Sequence, residues 1–177
     1  MKYKSNRPTR KQVGQAIAMQ VPPVSINFLS LQPMMERPID EQTELYLFLA
    51  CLYGECRGEE PRGIAAVGQV IMNRWMRREL YWGFSVRDII LDCNQGKFYE
   101  FACMEPGELE IPALQPKDTL GWAKVFTHGL PVYLEPEPLH RDSAFFYCTQ
   151  AAAEMPFFSK MRRIETIGSH VFFTDEI

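Results

Sequence analysis

The sequence predicts an α+β domain that is mainly α, and three observations predict it. Apolar residues recur at three- and four-residue spacing through residues 45–52 and 64–75, the period of a helix with one buried face. Only two short runs, Ser143–Thr149 and His170–Thr174, read as strands. The chain has 177 residues, 46% of them hydrophobic and 23% charged, which suits one compact domain.

Each element has a local reason. Residues 1–38 read as an arm, because Pro22-Pro23, Pro33 and Pro38 each remove a backbone donor and restrict the preceding residue. The body of the domain then spans residues 39–177. Asp40 is a candidate cap for a first helix with Leu45, Phe48, Leu49 and Leu52 on one face. Pro61 suits the first turn of a second helix carrying Ile64, Val67, Ile71 and Trp75. Ser85-x-x-Asp88 before Ile89-Ile90 is a capping box with Asp in place of Glu. Residues 92–117 read as a long loop punctuated by Pro and Gly, and such loops commonly carry function. A further helix is expected from Asp118 to His128, closed by Gly129.

Charge is unevenly spread. Residues 1–35 hold Lys2, Lys4, Arg7, Arg10 and Lys11 and no acid, whereas from Glu36 onward 14 basic residues face 22 acidic ones. An acidic body argues against nucleic-acid binding by the domain, since neutralising phosphates needs a cationic surface. Between Val24 and Met35 the arm carries six large apolar residues, too many for a solvated tail, and it is expected to lie on this domain or on another protein. No apolar run reaches the roughly 20 residues that span a bilayer. The stretch Val13–Val21 is a poor export signal, interrupted by Gln15 and Gln20.

Five cysteines without a C-x-x-C pair read as small buried hydrophobes in a reducing cytoplasm. His128, His140 and His170 lack metal-ligand spacing, so no metal or other cofactor is expected. Nothing in the spacing supports a Cys56–His170 nucleophile pair. The carboxylates are more informative. Glu55 stands at the end of an apolar helix between Gly54 and Gly58, where backbone or a ligand can approach closely. Apolar walls disfavour the ionised form of a carboxyl group, which suits a general acid. An acidic turn decorating a helix end is the plainer alternative, and Glu59 likewise fits a helix start or a second carboxylate.

Leu49-Ala50-Cys51-Leu52-Tyr53-Gly54-Glu55-Cys56-Arg57-Gly58-Glu59, followed by Gly63–Arg74, resembles the opening signature of the SleB/CwlJ-type cell-wall hydrolases. Ser143–Tyr147 resembles that family's small-then-aromatic strand, and Ile167–Phe173 its closing Ile-Gly-x-His-x-Phe motif. The resemblance spans about residues 45–174. It implies a lysozyme-like domain that cuts peptidoglycan glycan strands between N-acetylmuramic acid and N-acetylglucosamine, with the best-known members acting as lytic transglycosylases. It places the catalytic glutamate on Glu55. Two positions depart from the pattern: Lys97 stands where the family's middle motif has glutamine, and Phe157 or Phe158 where a tryptophan is expected.

A lytic transglycosylase manages with one carboxyl group, whereas ordinary glycosidases need two. Under this resemblance Glu59, Phe98, Tyr99, Tyr147 and His170 are the expected substrate-binding residues, near Glu55. The aromatics fit sugar stacking or core packing, and His170 a groove position or a core one. The setting the resemblance suggests is a bacteriophage lysin made in the host cytoplasm and acting at the wall or periplasm, free or virion-borne. Residues 1–38 would then reach a phage structural protein. The alternative is a non-catalytic subunit of a phage particle that keeps the fold.

Overall fold

The computed structural model describes residues 41–79, 82–91, 99–105 and 119–175. The arm of residues 1–38 therefore lies outside the described residues, as does most of the expected 92–117 loop.

Helix α1 (Glu44–Cys56) is the central element. Every residue from Tyr46 to Tyr53 is buried, so it is apolar on all sides rather than on the single face that the spacing predicts. Its cap is Thr43, not Asp40: the Thr43 hydroxyl accepts the Tyr46 N–H at 3.2 Å, satisfying a first-turn donor. Helix α2 (Pro61–Arg77) begins at Pro61 as expected, and buries Ile64, Val67 and Ile71. Helix α3 (Val86–Leu91) starts at a closed capping box. The Ser85 hydroxyl accepts the Asp88 N–H at 3.0 Å, and the Asp88 carboxylate accepts the Ser85 N–H at 2.9 Å.

Helix α4 (Thr119–Leu134) does not stop at Gly129; it runs on through Gly129 and Pro131. Packing decides this. A Cβ on Gly129 would lie 2.6 Å from Leu52 Cδ1, so the glycine lets α4 press against α1 instead of ending a helix.

The sheet has three antiparallel strands in the order β1-β3-β2, one more than the sequence predicts. Strand β1 (Phe146–Thr149) and strand β3 (His170–Thr174) are the expected ones. Strand β2 (Arg162–Ile167) is the addition, and its charges belong to an edge strand facing water. The β2–β3 connection is the two-residue turn Gly168-Ser169, with Gly168 at φ +57°, a backbone region that suits glycine. Two buried polar side chains tie α2 to the start of β1. Asn73 donates to the Ala144 carbonyl at 2.8 Å and Arg74 to the Phe145 carbonyl at 2.8 Å. Arg74 also lies over the Trp82, Phe101 and Phe146 rings.

Candidate active site

Glu55 sits in the last turn of α1, half-buried, and its carboxyl group is gripped from two sides. The Tyr147 hydroxyl donates to Oε2 at 2.9 Å, and the Cys103 N–H donates to Oε1 at 3.3 Å. Tyr147 comes from β1, 92 residues away, and Cys103 from a short 3₁₀ turn, Ala102–Met104. Gly54 makes that turn's approach possible, because a Cβ there would meet Cys103 Cβ at 2.4 Å. The expectation that backbone approaches closely at Gly54 is met. Gly58 has open space around it and carries no such requirement. Burial, then the neighbouring Glu55 carboxylate, pushes the Tyr147 phenol well above its ordinary range, so it stays a donor.

Glu59 faces a different partner. Its carboxylate accepts both the N–H and the hydroxyl of Ser169 in the β2–β3 turn, and Oε1 lies 3.7 Å from His170 Nδ1. A Cβ on Gly168 would overlap Glu59 Oε2 at 1.8 Å, so the glycine leaves room for the carboxylate as well as for the turn. The Ser169 hydroxyl, its N–H and then His170 hold the Glu59 carboxyl below its ordinary value against some desolvation. Glu59 is thereby kept ionised. His170 is buried, with its ring edge-on to Tyr147 at 5.2 Å between centroids. One continuous set of contacts therefore runs from Glu59 through His170 and Tyr147 to Glu55.

Of the residues expected near Glu55, Tyr147 touches it and His170 packs on Tyr147. Tyr99 is half-buried, two residues before Phe101, whose ring is 6.4 Å from Tyr147. Among the described residues no hydrogen bond or ring contact joins Tyr99 to Glu55. Phe98 and Lys97 lie outside the described residues. Two contributors went unforeseen: the Cys103 N–H, which no side-chain pattern announces, and Ser169, written in the sequence only as the variable residue of the closing motif. Cys56 is buried at the end of α1. Burial pushes its thiol up, and the S–H donates to the Leu52 carbonyl at 3.1 Å. Among the described residues no group of His, Cys, Asp and Glu is placed to hold a metal ion. No described helix is long and apolar enough to cross a membrane.

A cleft of about 580 Å³ opens elsewhere, between α2, the end of α4 and β2, and neither Glu55 nor Glu59 lines it. Its polar groups are largely engaged with one another: Gln69 with Asn73 and the Glu137 backbone, Arg62 with Glu165. Glu55 stands apart from this cleft, with its carboxyl group positioned by donors from two distant segments.

The family model for cell wall hydrolases matches residues 58–173, about two thirds of the chain. The chain belongs to the cell wall hydrolase family. The matched span includes Glu59, Tyr147 and His170 and begins three residues after Glu55. No curated protein and no solved structure matches the chain.

Proposed function

We propose that this cell wall hydrolase cleaves the peptidoglycan glycan strand between N-acetylmuramic acid and N-acetylglucosamine as a lytic transglycosylase, with Glu55 as its single acid and base. The observation that carries the reading is the pair of donors on the Glu55 carboxyl group, with Glu59 occupied at the hairpin turn. The two donors fix the orientation of the carboxyl group, the Cys103 N–H on Oε1 and the Tyr147 hydroxyl on Oε2. The Tyr147 hydroxyl can reverse its role there and accept when Glu55 is protonated, since a phenol is both donor and acceptor.

Protonated Glu55 gives its proton to the glycosidic oxygen as the bond from that oxygen to the muramoyl C1 breaks. The muramoyl 6-hydroxyl oxygen then bonds to C1, and its proton returns to the Glu55 carboxylate. A 1,6-anhydro ring forms, Glu55 is regenerated and no water is consumed. The Glu59 carboxylate is engaged by the Ser169 N–H and hydroxyl at the hairpin turn, which supports the single-carboxyl scheme over one with Glu59 as acid. A glutamate at the end of a buried helix, facing a small antiparallel sheet, is an arrangement we read as lysozyme-like. We assign the basic, apolar arm of residues 1–38 to a structural partner, the contact a virion-borne phage lysin would need.

The test is release of soluble muropeptides from purified sacculi. Glu55→Gln keeps shape and hydrogen-bonding capacity but has no proton to transfer. Its rate is expected to fall by about 10²–10⁴-fold with an unchanged thermal midpoint. Full activity in the folded variant refutes the assignment.

A further inference from the structure

A second surface of the domain carries chemistry that the site at Glu55 does not use. Between β1 and β2 the chain makes two 3₁₀ turns, Gln150–Ala152 and Phe158–Lys160, and between them it exposes Met155 and Phe157 at 55% and 56%. This segment is firmly built. The Met155 carbonyl accepts the Phe158 N–H at 3.0 Å, the Ser159 hydroxyl donates to the Pro156 carbonyl at 2.9 Å, and the Met161 N–H closes on the Phe158 carbonyl at 3.0 Å. The Phe157 ring is held edge-on against Phe146 at 5.9 Å and Phe158 at 5.1 Å, with Phe158 packed in turn on Phe173 at 5.0 Å. A large aromatic is thus held in a fixed position by ring contacts while most of it remains in water, with Met155 exposed beside it.

The face is a separate one. Successive strand residues point to opposite sides of a sheet, so Phe146 and its cross-strand partner Phe173 lie away from Tyr147, Phe172 and Glu55. Its charge differs from the rest of the body. From Glu154 to Arg163 there are three cations, Lys160, Arg162 and Arg163, against the single acid Glu154, in a body where acids outnumber bases. Arg162 is paired with Asp142, whereas Lys160 and the exposed Arg163 have no carboxylate partner among the described residues.

We infer that this face, built on Phe157 and Met155 and flanked by Lys160 and Arg163, is a second contact surface for peptidoglycan, holding a strand other than the one being cut. The inference rests on the proposed substrate. Pyranose rings offer apolar C–H faces that match an exposed aromatic ring, and the lactyl and stem-peptide portions of peptidoglycan offer carboxylates that match the two cations. A cross-linked, insoluble polymer presents neighbouring strands to opposite faces of one small domain. A soluble fragment does not.

The experiment uses the full chain carrying Phe157→Ser and Met155→Ser together, with Lys160→Ser as an independent variant. Binding to purified sacculi is read by co-sedimentation in a Glu55→Gln background, and turnover is read on sacculi and on a soluble glycan tetrasaccharide in the active background. The expected result is a loss of sacculus affinity of about five- to tenfold for the double variant. Half-saturation on sacculi rises by a similar factor, while tetrasaccharide turnover and thermal midpoint stay at the parent values. Lys160→Ser is expected to weaken binding in low salt and to reduce its salt dependence. Unchanged sacculus binding overturns the inference, as does an equal loss on the tetrasaccharide, which would move these residues into the cleavage groove. Loss of binding to phosphatidylglycerol vesicles instead of sacculi overturns it too, assigning the face to a membrane. A parent that binds sacculi through this face without cutting them would leave the inference standing and remove the catalytic proposal.

Discussion

Glu55 and Glu59 stand four residues apart on either side of a helix break, and they face different surroundings. Glu55 ends α1 with a phenol and a backbone N–H on its oxygens, whereas Glu59 is turned to the β2–β3 hairpin. Tyr147→Phe removes one donor from Glu55 and leaves the ring contacts in place. Turnover should drop by about ten- to a hundredfold, the value of a hydrogen bond to a charged group, with the fold intact by thermal midpoint. Glu59→Gln should act mainly on stability. Its carboxyl is held below the ordinary value of 4.5, chiefly by Ser169, so folding favours the ionised form. That contribution is fully present above about pH 4.5 and is lost as pH falls towards the lowered native value. Thermal midpoints of parent and variant should therefore differ most near neutral pH and converge in acid. A constant gap across pH would mean that the Glu59 charge is not what seats the hairpin.

Three elements meet at the site, and each has a residue whose change should show it. Gly54→Ala forces a Cβ into Cys103, so the Ala102–Met104 turn must move and Glu55 loses its N–H donor. Activity and thermal midpoint should fall together, in contrast to Glu55→Gln, where only activity falls. Arg74 is buried at 4% exposure, bonded to the Phe145 carbonyl and paired with Glu100 at 3.3 Å. Arg74→Ala should cost about 3 kcal/mol or more in denaturant unfolding, because it orphans a carbonyl and a carboxylate and strips cover from aromatic rings. The legible parts of the fold were those with local causes: Pro61 at a helix start, the Ser85–Asp88 box, and the aromatic strand His170–Thr174. What sequence missed was set by tertiary contact. Gly129 looks like a stop signal until Leu52 is seen beside it, and Arg162–Ile167 looks like a charged loop until β3 pairs with it. The site was half legible on the same terms. Glu55, Tyr147 and His170 stand in motifs, whereas the Cys103 N–H belongs to a turn whose approach depends on a glycine 49 residues earlier.

At the scale of the molecule, an acidic domain of the cell wall hydrolase family carries a basic arm, and the two are predicted to divide the work. Removing residues 1–36 should leave the rate on a soluble glycan at the parent value while changing solubility or assembly by size-exclusion chromatography; no change in either would make the arm a bland tail. The domain itself brings together a helix end, a turn and a sheet that are each ordinary, and the proposed chemistry lies in how they meet at one carboxyl group. Mass spectrometry of the glycan ends left after digestion of purified murein tests that claim most directly. If Glu55 works alone as acid and base, the new muramoyl ends are 1,6-anhydro and lighter than reducing ends by one water, and Glu55→Gln produces none of them. Reducing muramoyl ends as the main product would contradict the account, because a water activated by a second group would then have completed the reaction.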